Sequence, residues 1–168
     1  PPKDFFRFMV LCLDRQTGRT LWERTACEEA PHEGHHRNHG YASASPVTDG
    51  EHLIVSFGSR GLYCYDLAGG LVWKKDLGKL FTRKSFGEGS SPALQGNTVV
   101  VVRDHEEEDV LLAFDKKDGR ELWRTRRDEP TSWSTPVIVD HGGRAQVLVA
   151  ASSGLRGYDL KDGRELWS

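Results

Sequence analysis

The sequence predicts an all-β chain assembled from repeated units of four short antiparallel strands. Three observations predict it. A turn phrase ending in tryptophan occurs four times, a Ser/Thr-Pro phrase precedes each of the last three copies, and no segment carries the 3.6-residue apolar period of a helix. The turn phrase first reads Cys12-Leu13-Asp14-Arg15-Gln16-Thr17-Gly18-Arg19-Thr20-Leu21-Trp22. It returns around Asp66, Gly69 and Trp73, around Asp115, Gly119 and Trp123, and around Asp159, Gly163 and Trp167. The tryptophans stand 51, 50 and 44 residues apart. The second phrase is Ser45-Pro46-Val47, then Ser91-Pro92-Ala93, then Thr135-Pro136-Val137.

Each element follows from these phrases. In the turn phrase the aspartate can accept bonds from amides just ahead of it, and the glycine supplies the positive φ that such a turn requires. Strands therefore enter through Cys12-Leu13 or Ala113-Phe114 and leave through Leu21-Trp22 or Leu122-Trp123. The copy at Asp66 is one residue shorter and makes a tighter turn. Upstream, Pro46 to Ser56 reads as strand, Asp49-Gly50 turn, strand, and the same grammar recurs in 93–101 and 137–149. Four strands in every 44 to 51 residues is the pattern of propeller blades. The expected architecture is a partial β-propeller: an N-terminal half-blade over 8–25 and full blades over 43–73, 90–123 and 134–167. The tryptophans are expected to pack between adjacent blades. Cys12, Cys64, Ala113 and Gly157 share one slot, two residues before each aspartate, which calls for a small side chain.

Composition narrows the function. A chain of 168 residues supports one core. With 23 Lys+Arg against 25 Asp+Glu and a net charge of −2, it lacks the basic excess that phosphate neutralisation demands, which argues against nucleic acid as a partner. Its longest apolar runs, such as Asn97 to Val102, fall far short of the roughly 20 residues that span a bilayer. The chain opens Pro1-Pro2-Lys3-Asp4 with no initiator Met or leader pattern, so an upstream segment or a longer parent protein is expected. Three cysteines with no Cys-x-x-Cys pair give neither a disulfide framework nor a zinc site.

Candidate site residues lie in the connections. The segment 28–41 holds His32, His35, His36 and His39 beside Glu28, Glu29 and Glu33. Imidazoles and carboxylates suit a transition metal, but Pro31, Gly34, Asn38 and Gly40 argue for a loop without scaffold-fixed spacing. The alternative is a polar loop whose histidines bond backbone carbonyls. Arg60, Arg83 and Arg126 are candidates for a rim that holds an anionic ligand or an acidic partner, or else pairs with carboxylates such as Asp128 and Glu129. The acidic run 104–109 lacks the ligand alternation and fixed glycine of a calcium loop and reads as a repelling hairpin tip. There is no Gly-x-Ser-x-Gly elbow to suggest a hydrolase.

The phrase from Cys12 to Trp22 matches, position by position, the tryptophan-docking repeat of quinoprotein dehydrogenases. The chain resembles PQQ-like β-propeller repeat proteins. Residues 57–66 and Ser90-Ser91-Pro92-Ala93-Leu94 are most similar to the bacterial members related to the outer-membrane assembly lipoprotein. The resemblance covers nearly the whole chain and rests on turn and packing residues, so it speaks to fold more than to activity. It implies a ring of seven or eight blades, roughly 350 to 400 residues. Either a homo-oligomer or missing blades must then bury the open ends. It also implies an extracytoplasmic, periplasmic location. Two functions follow: a non-catalytic module binding a protein or small ligand, with no cofactor, or a fragment of a quinoprotein oxidoreductase using PQQ with Ca²⁺. The second would bring an adjacent-cysteine disulfide, and Cys12, Cys27 and Cys64 are never adjacent.

Overall fold

The structure, a computed structural model, describes residues 2–168. Its strands form four antiparallel sheets. The first pairs β1 (Phe6–Leu13) with β2 (Thr20–Glu29). The second runs β3 (Val47–Thr48), β4 (His52–Ser56), β5 (Leu62–Asp66), β6 (Leu71–Lys75). The third runs β7 (Ala93–Gln95), β8 (Thr98–Arg103), β9 (Val110–Asp115), β10 (Glu121–Arg126). The fourth runs β11 (Val137–His141), β12 (Arg144–Ala150), β13 (Leu155–Asp159), β14 (Glu165–Trp167). Each four-stranded sheet keeps chain order from inner to outer strand, so the chain is three propeller blades preceded by a half-blade.

The core consists of the layers between blades. Successive side chains of a strand point to opposite faces, so a blade packed on both sides needs apolar residues at every position. In β8, Val99 and Val101 pack toward the second sheet with Ile54, Leu62 and Cys64, while Val100 and Val102 pack toward the fourth with Val147, Val149 and Tyr158. A third layer joins Phe8 and Val10 of the half-blade to Val55, Phe57, Tyr63 and Tyr65. The outward faces of the two end sheets differ. Leu11, Leu13 and Leu21 are 52 to 60% exposed at one end, and Val137, Leu155 and Trp167 are 41 to 55% exposed at the other.

The turn phrase closes each blade and locks it to the next. Asp14, Asp115 and Asp159 accept backbone amides through Oδ1, at 2.7 to 3.2 Å. These bonds hold the Asp14 and Asp159 carboxyls below the usual range, with Thr17 the main cause for the first and the Lys161 amide for the second. The indole N–H of Trp22 donates to Leu67 O at 3.0 Å, that of Trp73 to Lys116 O at 2.7 Å, and that of Trp123 to Leu160 O at 2.9 Å. Each acceptor directly follows the turn aspartate of the next blade. The small-residue slot has an equally direct cause. Cys12, Cys64, Ala113 and Gly157 lie opposite Trp22, Trp73, Trp123 and Trp167 in the antiparallel register, so a large side chain there would collide with the indole. At Gly157 an added Cβ would stand 2.3 Å from the Trp167 ring.

Candidate functional site

The connections after β2, β6 and β10, together with those after β4, β8 and β12, meet on one face. The Ser/Thr-Pro phrases tie the inner strands there: Ser45 N donates to Ser91 Oγ at 2.8 Å, and Ser91 N donates to Thr135 Oγ1 at 3.1 Å. Farther out, the 76–92 connection bridges its neighbours. His36 N donates to Phe86 O, Leu80 N to Ser59 Oγ, and Glu106 N to Phe81 O. Beneath it lies a cavity of about 40 Å³, lined by Glu33, Arg60, Thr82, Glu88, Asp104 and Trp133 among others.

Most charged side chains around this cavity are held by partners within the chain, while Arg103 donates to the carbonyls of Leu77 and Gly78 and keeps a buried Nε without a partner among the described residues. Arg60 donates to Glu88 Oε1 at 3.0 Å and to His32 Nδ1 at 3.1 Å, and its Nε lies 3.3 Å from Glu29 Oε1. Burial pushes the Glu88 carboxyl up, against the pull of Ser59 and Arg60. Glu33 accepts both the amide and the hydroxyl of Thr82. Asp104 takes a bidentate pair from Arg127, at 2.7 and 3.2 Å, in which both side chains are fully buried. Burial works against the Arg127 charge, but the hydrogen bonds and charge of Asp104 outweigh it and hold the guanidinium pKa up.

The candidate residues from the sequence fall in different places. Arg60 is 7% exposed and lies inside the face rather than on its rim. Arg83 is exposed at the tip of the 76–92 connection, and Arg126 is exposed at the end of β10, opposite Val110. Among the described residues these three share no hydrogen-bond partner. Arg127, next to Arg126 in the chain, is buried. The acidic run also splits. Asp104 turns inward to Arg127 and Asp109 accepts the amides of His105 and Glu129, while Glu106 to Glu108 face solvent.

The four loop histidines do not converge as a metal site among the described residues. His32 Nε2 meets Leu80 O at 2.7 Å while Nδ1 accepts from Arg60, leaving neither nitrogen free. The Nδ1 atoms of His35 and His39 face the carbonyls of His36 and Gly40, and His36 Nδ1 accepts from Asn38 N. One ligand-like trio is present among the described residues, Asp49, Glu51 and His52, at the opposite end of the second sheet. The Lys116 ammonium bonds Asp49 and lies 4.0 Å from Glu51, so a cation already occupies it. The three cysteines are free thiols, and burial pushes Cys64 up to about 11, where it is not a nucleophile at neutral pH.

Repeated blades, docked tryptophans and a bridged loop face define a PQQ-like β-propeller. The family described as outer membrane protein assembly factor BamB matches residues 7–168, and the chain belongs to it. No curated protein sequence matches. Among solved structures, quinohemoprotein alcohol dehydrogenase ADHIIG of Pseudomonas putida HK5 superposes with a TM-score of 0.66 and 14% identity, over 95% of this chain and 31% of its own. BamB of Moraxella catarrhalis gives 0.58 and 16%, over 95% and 45%. The quinohemoprotein alcohol dehydrogenase of Comamonas testosteroni gives 0.65 and 13%, over 95% and 31%. These likenesses establish the fold, and the chain spans less than half the length of each.

Proposed function

We propose that this chain is a non-catalytic propeller module that binds a protein or small ligand through its loop face. The observation that carries this reading is that Glu33, Arg60, Glu88 and Asp104, which line the cavity, are each held by partners within the chain, so that among the described residues none of these four stands free as a base or ligand there. The likeness to quinohemoprotein alcohol dehydrogenases favours the second reading, a fragment of a PQQ-dependent oxidoreductase whose site draws on further blades. Adding PQQ with Ca²⁺ while following thermal unfolding separates the two. A native-state ligand raises the midpoint by mass action, and none is expected. A saturable rise would establish the oxidoreductase reading instead.

Family membership supports an extracytoplasmic location, and periplasmic is the specific proposal. No helix among the described residues is long and apolar enough to cross a membrane. The apolar side chains on the two end faces further propose a cover, a second copy or additional blades. Light scattering over a range of concentrations tests this for the chain as it stands. A defined dimer is the expected result, and a monodisperse monomer at all concentrations would show that these faces tolerate water.

A further inference from the structure

The tip of the 76–92 connection has a conformation that its sequence does not favour. Lys84 and Ser85 adopt φ of 57° and 53°, adjacent left-handed residues without glycine. Such a conformation persists only where its surroundings fix it, and such sites cluster where proteins bind. Here the connections on both sides do the fixing. Glu33 of the 30–46 connection accepts both donors of Thr82, and His36 N donates to Phe86 O at 2.8 Å. From the other side, Arg83 N donates to Thr131 Oγ1 at 3.0 Å and Trp133 Nε1 donates to Gly87 O at 2.7 Å.

What the tip presents is chemically specific. Arg83 and Lys84 are exposed, and among the described residues neither has a carboxylate within ion-pair distance. The nearby Glu106 is held by the Thr131 hydroxyl at 2.5 Å. Flanking the cations are three half-exposed aromatic rings, Phe81, Phe86 and Trp133, at 38 to 40%. The Phe86 and Trp133 centroids lie 6.3 Å apart, and the anchored indole N–H fixes the Trp133 ring in place. Rigid aromatic surface beside unpaired cations is the composition of a recognition hot spot, and holding it in one shape beforehand lowers the entropy lost on binding.

We infer that this rim docks an acidic peptide segment of a partner protein, its carboxylates meeting Arg83 and Lys84 and an aromatic side chain packing on Phe86 and Trp133. The occupant follows from charge complementarity to two unpaired cations with apolar rings on either side. The inference rests on the scaffold reading and names the chemistry of its partner.

The test is a titration of the ¹⁵N-labelled chain with an acetylated, amidated hexapeptide alternating aspartate and phenylalanine, with the asparagine analogue as control. The expected result is saturable movement of the Trp133 indole and the 83–87 amides, weakened by salt and absent with the analogue. Arg83→Glu/Lys84→Glu, at exposed positions that leave the fold intact, weakens binding by about tenfold or more. Equal binding of the asparagine analogue, no saturable shift, or binding only to phosphatidylserine-containing vesicles would overturn the proposal. The peptide result leaves the cofactor test untouched. A silent titration with no PQQ response removes this inference alone, whereas a PQQ response removes the scaffold reading itself.

Discussion

Arg127→Leu lowers stability by about 3 to 5 kcal/mol, the cost of leaving a buried charge without its partner. For a chain of this size that moves the thermal midpoint by about 10 °C. Arg127 and Asp104 are both fully buried, and Arg127 also donates to the Tyr158 hydroxyl and lies 5.4 Å over that ring. The pair therefore joins the end of β8 in one blade to β13 in the next. Without the guanidinium, Asp104 is forced toward its neutral form. Its pKa is already raised by burial, against the pull of Arg127, and in the variant that pull is gone. A carboxyl raised on folding contributes stability that is present below its unfolded pKa and is lost as pH climbs through the folded value. The deficit of Arg127→Leu is thus larger at pH 7 than at pH 4, which unfolding curves at the two values will show. Removing both partners, Arg127→Leu with Asp104→Leu, recovers most of the loss, because the expense lies in the stranded charge rather than in the missing attraction. A double variant no better than the single one would mean that packing, not charge, dominates here.

The same residue shows what strand parity makes legible in the sequence. Strand alternation from Trp123 points Thr125 and Arg127 inward and Arg124 and Arg126 outward, and the burial follows that parity. Composition alone treats Arg126 and Arg127 as equivalent, whereas parity places the first in solvent and the second in the interior. The blade pattern was legible because it is local: aspartate, glycine and tryptophan sit within one turn and strand, and their spacing repeats. The partners across blades were not legible. Arg60 meets Glu88, and Glu33 meets Thr82, over 28 and 49 positions in sequence. No spacing rule connects residues whose proximity depends on how one sheet packs on the next. The strained tip at Lys84 and Ser85 was hidden for a related reason, since neither side chain signals a left-handed backbone that neighbouring loops impose.

Gly119→Ala separates the two demands that the repeat makes on its glycine. Gly119 has φ +70°, and an added Cβ would stand 2.7 Å from the Trp73 ring, where the indole of the preceding blade docks. Gly18 has nearly the same backbone, φ +71°, but an added Cβ there meets nothing within 4 Å. Gly18→Ala therefore bears only the left-handed penalty, about 1 kcal/mol. Gly119→Ala adds the displacement of a buried indole bonded to Lys116 O, an overpacking cost of a further 1 to 3 kcal/mol, or about 2 to 4 in all. Chemical denaturation of the two variants side by side reads the difference. Trp73→Phe tests its origin: a smaller ring loses the indole hydrogen bond but gives the new methyl room, so the two changes together cost less than their sum. If Gly119→Ala proves no worse than Gly18→Ala, glycine serves the turn alone, and the tryptophan accommodates whatever faces it. If it proves worse by the expected margin, the Gly-to-Trp spacing in each repeat encodes two contacts at once. The glycine accepts the indole of the blade before, and the tryptophan reaches the turn of the blade after, so one phrase sets both the closure of a blade and its distance from the next.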